Sequence, residues 1–122
     1  MRVLGELEAQ VMRRIWDRRG PVTVRDIVGD LQRDRPVAYT TVMTVMDNLR
    51  KKGWLTRQAN GRAYRYEPTV SGEEYSAGLM RRALTASSDP AAALMHFIGE
   101  LTAEEADALE EAYRRLTAKG SP

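Results

Sequence analysis

AYTTVMTVMDNLRKKGWL, residues 38–55, carries two patterns on one helix. At about 100° per residue, Val42, Val45, Met46 and Leu49 fall on one side of the axis, within about 60° of Val42. Thr40, Thr44, Asp47 and Lys51 lie on the opposite side. Thr41 and Asn48 flank that outer face on one edge and Met43 on the other. Burial accounts for the first face. It does not account for the second, because a merely solvated face favours Glu, Lys and Gln over threonine.

The neighbouring segments supply the context. Upstream, Leu4, Leu7, Val11, Met12, Ile15 and Trp16 recur at helical spacing until Gly20-Pro21, which predicts a first helix over about 5–18. Thr23 with Asp26 forms a capping box for a second helix, with Ile27, Val28 and Leu31 on its apolar face. Between them PVTV is short and β-branched, suited to a minor strand. Gly53 is a natural stop for the third helix. Downstream the period changes to two: WLTRQANGRAYRYEP holds two short runs around Asn60-Gly61, a strong hairpin signal. Tyr64 and Tyr66 share one face of it, and Arg57, Arg62 and Arg65 cluster on or near it.

After Pro68 the pattern is helical again. Ser71 and Glu74 make a second capping box, with Tyr75, Leu79 and Ala83 following at every fourth position. Asp89-Pro90 opens a further helix that stops at Gly99. Thr102 and Glu105 cap a last one striped by Leu109, Ala112, Tyr113 and Leu116.

Composition narrows the chemistry. The 122 residues include no cysteine and one histidine, which excludes disulfide frameworks, thiolate sites, Cys nucleophiles and a multi-His metal site within one chain. No glycine-rich phosphate loop is present. An enzyme is therefore not expected, nor a cofactor or a metal. No stretch approaches the ~18 apolar residues of a spanning helix, and the N-terminus lacks the apolar core of a signal peptide, so the expectation is a cytoplasmic chain with no membrane insertion. The net charge of +2 conceals an asymmetry. Residues 1–70 hold 14 Lys/Arg against 8 Asp/Glu, and residues 71–122 hold 5 against 9. The first part suits a polyanion and the second would be repelled by one.

Helix, helix, amphipathic helix and hairpin describe a winged helix-turn-helix: mainly α with a small β wing, over residues 1–70. Such a recognition helix turns one face to its own domain and the other to the major groove. Thr40, Thr41, Thr44 and Asn48 are then the expected contacts to bases or phosphates, with Lys51, Lys52, Arg62 and Arg65 on phosphates. Asp47 repels phosphate but can accept a hydrogen bond from cytosine N4. Residues 71–122 hold three helices with little to cover among themselves. They are expected to dimerise through Tyr75, Leu79, Leu94, Phe97, Leu109, Tyr113 and Leu116. A two-fold homodimer needs half-sites one helical turn, about 34 Å, or a multiple of it apart.

LGELEAQVMRRIWDRRGPVTVRDIVGDL, TTVMTVMDNLRKKGWL and NGRAYRYEP, as an ordered set, resemble the penicillinase repressor (methicillin-resistance repressor, BlaI/MecI-type) family. The likeness continues more weakly through LMHFIGELTAEEADALEEAYRRL. It implies a winged-helix homodimer that binds double-stranded inverted-repeat operators and represses β-lactamase or related antibiotic-resistance genes. Thr41 and Thr44 match the family's T-x-x-T, and Lys51, Lys52 and Gly53 its K-K-G. Arg62 falls on its wing, and Asn48 stands where many members carry Arg. The resemblance also implies release by a membrane-sensor protease pathway, with the Asn-Phe cut site of some members matching His96-Phe97. A winged helix serving as a protein-interaction adaptor, and a repressor released by a small ligand, are the alternatives.

Overall fold

Helix α1 (Glu6–Arg18) opens the chain of elements, its first turn closed by Glu8, which accepts a hydrogen bond from the Gly5 N–H at 3.0 Å. The structure, a computed structural model, describes residues 3–120. Helix α2 (Val24–Gln32) begins at the Thr23 capping box. The Asp26 N–H donates to Thr23 Oγ1 at 3.1 Å, and the Thr23 N–H donates to Asp26 Oδ2 at 3.0 Å. Helix α3 (Tyr39–Lys51) follows a short connection, giving the helix-turn-helix.

Strands β1 (Leu55–Asn60) and β2 (Ala63–Pro68) form the antiparallel wing, with Leu55 opposite Pro68 and Asn60 opposite Ala63. The turn therefore centres on Gly61-Arg62, one residue beyond the Asn60-Gly61 pair that the sequence singles out. Gly61 has φ +67° and Arg62 is not in the positive-φ region. That is the order a II′ turn requires, with glycine first. The minor strand expected in PVTV is reduced to one bridging pair, Val22 with Tyr66.

One core joins these elements. Val11, Met12 and Ile15 of α1, Ile27 and Leu31 of α2, and Val42, Met46 and Leu49 of α3 are buried together with Leu55 and Tyr66 of the wing. Burying each such side chain contributes about 1.5–3 kcal/mol. The expected apolar face of α3 is thus the observed one, apart from the half-buried Val45 at its edge.

The end of α3 is fixed by a Schellman motif. The Trp54 N–H donates to the Leu49 carbonyl at 2.9 Å and the Gly53 N–H to the Arg50 carbonyl at 3.0 Å, with Gly53 at φ +91°. Leu49 and Trp54, the hydrophobic pair of such a motif, are both buried.

Helices α4 (Gly72–Ala86), α5 (Pro90–Gly99) and α6 (Ala103–Gly120) complete the chain. Their predicted caps form: Ser71 with Glu74, Asp89 with Ala92, Thr102 with Glu105. Two compact units result, dividing between Leu79 and Met80 inside α4. The first turns of α4 go with the first unit because Tyr75 is drawn into its core. The Tyr75 ring lies 5.6 Å from Trp16 and 5.5 Å from Trp54, and its hydroxyl accepts a hydrogen bond from the Leu4 N–H at 3.1 Å. Tyr75, expected among the dimerisation contacts, is thus already covered by its own chain.

The second unit differs in kind. Among the described residues, no hydrophobic side chain from Met80 onward is buried. Leu94, Met95, Phe97 and Ile98 on α5 are exposed, as are Leu109, Tyr113 and Leu116 on α6, the last two at about 70%. Among the described residues, no helix is long and apolar enough to cross a membrane.

Candidate nucleic-acid interface

The outer face of α3 is held outward by the burial of Val42, Met46 and Leu49 behind it. Thr40, Thr41, Thr44, Asn48 and Lys51 are all exposed. The helix starts at Ala38 without a side-chain cap. The amides of Tyr39, Thr40 and Thr41 therefore lack both an intrahelical acceptor and a capping oxygen. That leaves the positive end of the helix dipole open to an anion.

α3, the start of α2 and the wing enclose an open groove of about 950 Å³. Thr44, Asn48, Lys51 and Arg62 all line it, so the structure brings these four predicted residues together. Thr40 and Thr41 stand in the first turn of α3, outside its lining. Lys52 turns the other way, its Nζ 2.7 Å from Glu8 Oε2 of α1. Arg65 pairs across the wing with Gln58 and lines a separate shallow surface with Pro21 and Glu67, on the side of β2 away from Tyr64 and Tyr66.

The floor of the groove is organised by Asp47. Arg50 Nη2 donates to its Oδ1 at 2.9 Å, Arg57 Nη1 lies 3.3 Å from the same oxygen, and Lys51 Nζ is 3.2 Å from Oδ2. The Arg50 hydrogen bond, followed by that of Lys51, holds the Asp47 carboxyl below its ordinary range. The acid that the sequence sets against phosphate is thus surrounded by three cations. Arg57 also stacks on Tyr64, its guanidinium carbon 3.9 Å from the ring centroid, and its Nη1 reaches the Tyr66 hydroxyl at 3.5 Å. The Tyr66 hydroxyl, as the leading cause, raises the Arg57 pKa.

The groove lining also includes residues outside the predicted set, among them Arg25, Tyr39, Met43, Arg57 and Tyr64. Arg57 and Tyr64 were legible. Strand alternation puts Arg57 on the tyrosine face of the hairpin whether the turn is centred on Asn60-Gly61 or on Gly61-Arg62. Arg25 carries no such signal, since only the packing of α2 against α3 brings its side chain to the groove.

The model of the penicillinase repressor family matches residues 4–115. The chain belongs to that family. A transcriptional regulator BlaI of Mycobacterium tuberculosis is 44% identical over 118 residues, which cover 94% of this chain and 86% of that protein. Among solved structures, the DNA-binding domain of the repressor BlaI matches with a TM-score of 0.53 and 25% identity, over 59% of this chain and 87% of that one. BlaI of Bacillus licheniformis, solved as a monomeric form in complex with the blaP half-operator, matches in fold with a TM-score of 0.51 and 24% identity, over 61% of this chain and 89% of that one.

The penicillinase repressor family is one of transcriptional regulators rather than enzymes. In this member the groove beside α3 combines hydroxyls, an amide and guanidinium groups with exposed aromatic and thioether surface. Such a set can hydrogen-bond base edges, pair with phosphates and touch thymine methyls.

Proposed function

We propose that this penicillinase-repressor-family chain represses transcription as a homodimer bound to an inverted-repeat operator of β-lactamase or related antibiotic-resistance genes. One observation carries the reading: the outward face of α3 and the arginine-bearing wing line a single groove, behind which Val42, Met46 and Leu49 of the same helix are buried. Thr44 and Asn48 meet base edges, with Thr40 and Thr41 at the open helix start. Lys51 and Arg62 meet phosphates from within the groove, and Lys52 and Arg65 from its outer sides.

The exposed apolar surface of α5 and α6 supports dimerisation through Leu94, Phe97, Leu109, Tyr113 and Leu116, and Leu79 of α4, also exposed, contributes as well. Helices that bury nothing on their own chain gain most from a copy of themselves. Release is by a cut between His96 and Phe97, both exposed on α5, through a membrane-sensor protease pathway. Cutting there would split α5, leaving Phe97 and Ile98 with α6 and Leu94 with the rest of the chain, and dissolve the dimer. Mass spectrometry of the protein after β-lactam exposure should find the two fragments. An intact chain during derepression would rule cleavage out in favour of a ligand.

Genome-wide DNA capture with the purified protein tests the main reading. Captured fragments should share an inverted repeat whose half-sites lie one helical turn, about 34 Å, or a multiple of it apart. Capture of DNA without any shared repeat would defeat it.

A further inference from the structure

Among the described residues, Asp47 is the one acid of the groove lining, and its carboxylate collects Arg50, Lys51 and Arg57 at 2.9, 3.2 and 3.3 Å. Two of these cations belong to the recognition helix and the third to β1 of the wing. Asp47 Oδ1 takes both guanidinium groups and Oδ2 the ammonium, so both oxygens are engaged within the protein. A direct hydrogen bond from a cytosine amine would have to displace or share one of these partners.

Resting on the operator-binding reading, we infer that Asp47 is a positioning residue that sets sequence discrimination: it fixes three phosphate-seeking cations in one arrangement and ties the wing to α3. Binding to arbitrary DNA depends on cations free to follow whatever phosphates are near. Here they can leave their arrangement only by exposing a bare carboxylate to the same phosphates. That repulsion penalises every docking in which the cluster must break up, and spares the one in which it stays whole. Arg57 completes the device. Its Nη1 reaches both Asp47 Oδ1 and the Tyr66 hydroxyl while its guanidinium carbon lies over the Tyr64 ring, so this side chain links the carboxylate to the wing.

The test uses the full-length protein and two probes: a duplex selected by the wild type from a randomised pool, and the same duplex shuffled. Asp47→Asn keeps the shape and removes the charge. It should bind the shuffled duplex about tenfold more tightly, with a salt dependence steeper by about one, and change binding to the selected duplex less than about threefold. In an Arg57→Ala background the gain on shuffled DNA should shrink. Lost affinity for the selected duplex with no change on the shuffled one would overturn the inference and make Asp47 a direct base reader. An unchanged variant, or a gain undiminished without Arg57, would overturn it as well. A wild type with no salt-dependent binding to either duplex would bring down the operator reading itself, whereas wild-type binding with an unchanged variant defeats this inference alone. Thermal unfolding of each variant separates these outcomes from loss of fold.

Discussion

Val22 and Tyr66 exchange both of their backbone hydrogen bonds: the Val22 N–H donates to the Tyr66 carbonyl at 3.0 Å and the Tyr66 N–H to the Val22 carbonyl at 2.7 Å. This pair fastens the wing to the segment that leads into α2. Both side chains are buried in the common core, so the wing is held by packing as well as by its backbone. The position of Arg62 beside α3 depends on it.

Tyr66→Ala should therefore cost about 3–5 kcal/mol of stability, as large-to-small aromatic changes in cores do. Arg65→Ala, on the exposed side of the same strand, should stay within about 0.5 kcal/mol. Denaturant unfolding compares the two. Equal effects would show that the wing is not anchored at residue 66.

Much of this architecture was legible because its punctuation is local. Thr23 with Asp26, Ser71 with Glu74, Asp89 with Pro90, and Thr102 with Glu105 mark helix starts within a few residues, and each cap forms. The buried face of α3 followed from periodicity alone. The hairpin was legible too, but its turn was displaced by one residue because Gly61 can take positive φ as the first central residue as well as the second. What stayed hidden is long-range. Nothing near Lys52 announces Glu8, 44 residues earlier, as its partner. Nothing near Asp47 announces Arg57. Tyr75 fits a helical stripe equally well as a dimer contact or a core residue, and only the indoles of Trp16 and Trp54 decide between them.

Tyr75 yields a second prediction. Tyr75→Phe keeps the ring but leaves the buried Leu4 N–H without its acceptor, a loss of about 1–3 kcal/mol. Self-association measured by sedimentation should not change. A variant that dissociates at unchanged stability would return Tyr75 to the dimer contacts.

Phe97→Asp and Leu116→Asp should behave in the opposite way. Both side chains are exposed, so the first unit should unfold as in the wild type. Sedimentation should show a shift towards monomer, and operator binding should lose the contribution of the second half-site. Dimers that persist in both variants would place the interface elsewhere.

Asp30 sets a pH dependence. Arg18 grips it with two hydrogen bonds, Nε to Oδ2 at 2.8 Å and Nη2 to Oδ1 at 3.0 Å, and this holds the Asp30 carboxyl below its ordinary range. A carboxyl whose folded pKa is depressed adds stability above its unfolded pKa and loses it as pH falls through the folded value. Asp30→Asn should thus be less stable at neutral pH, with the two proteins converging in strongly acid solution. Parallel curves from denaturant unfolding across that range would contradict the assignment.

The central claim is that the outer face of α3 meets DNA, and a salt titration of binding to captured operator tests it most directly. Log affinity should fall linearly with log salt, and Lys51→Ala should reduce the slope by about one. Thr44→Ala should keep the slope and lower the preference for the operator over shuffled DNA by about 1–3 kcal/mol. A salt-independent affinity, or a Lys51→Ala slope equal to that of the wild type, would contradict the account.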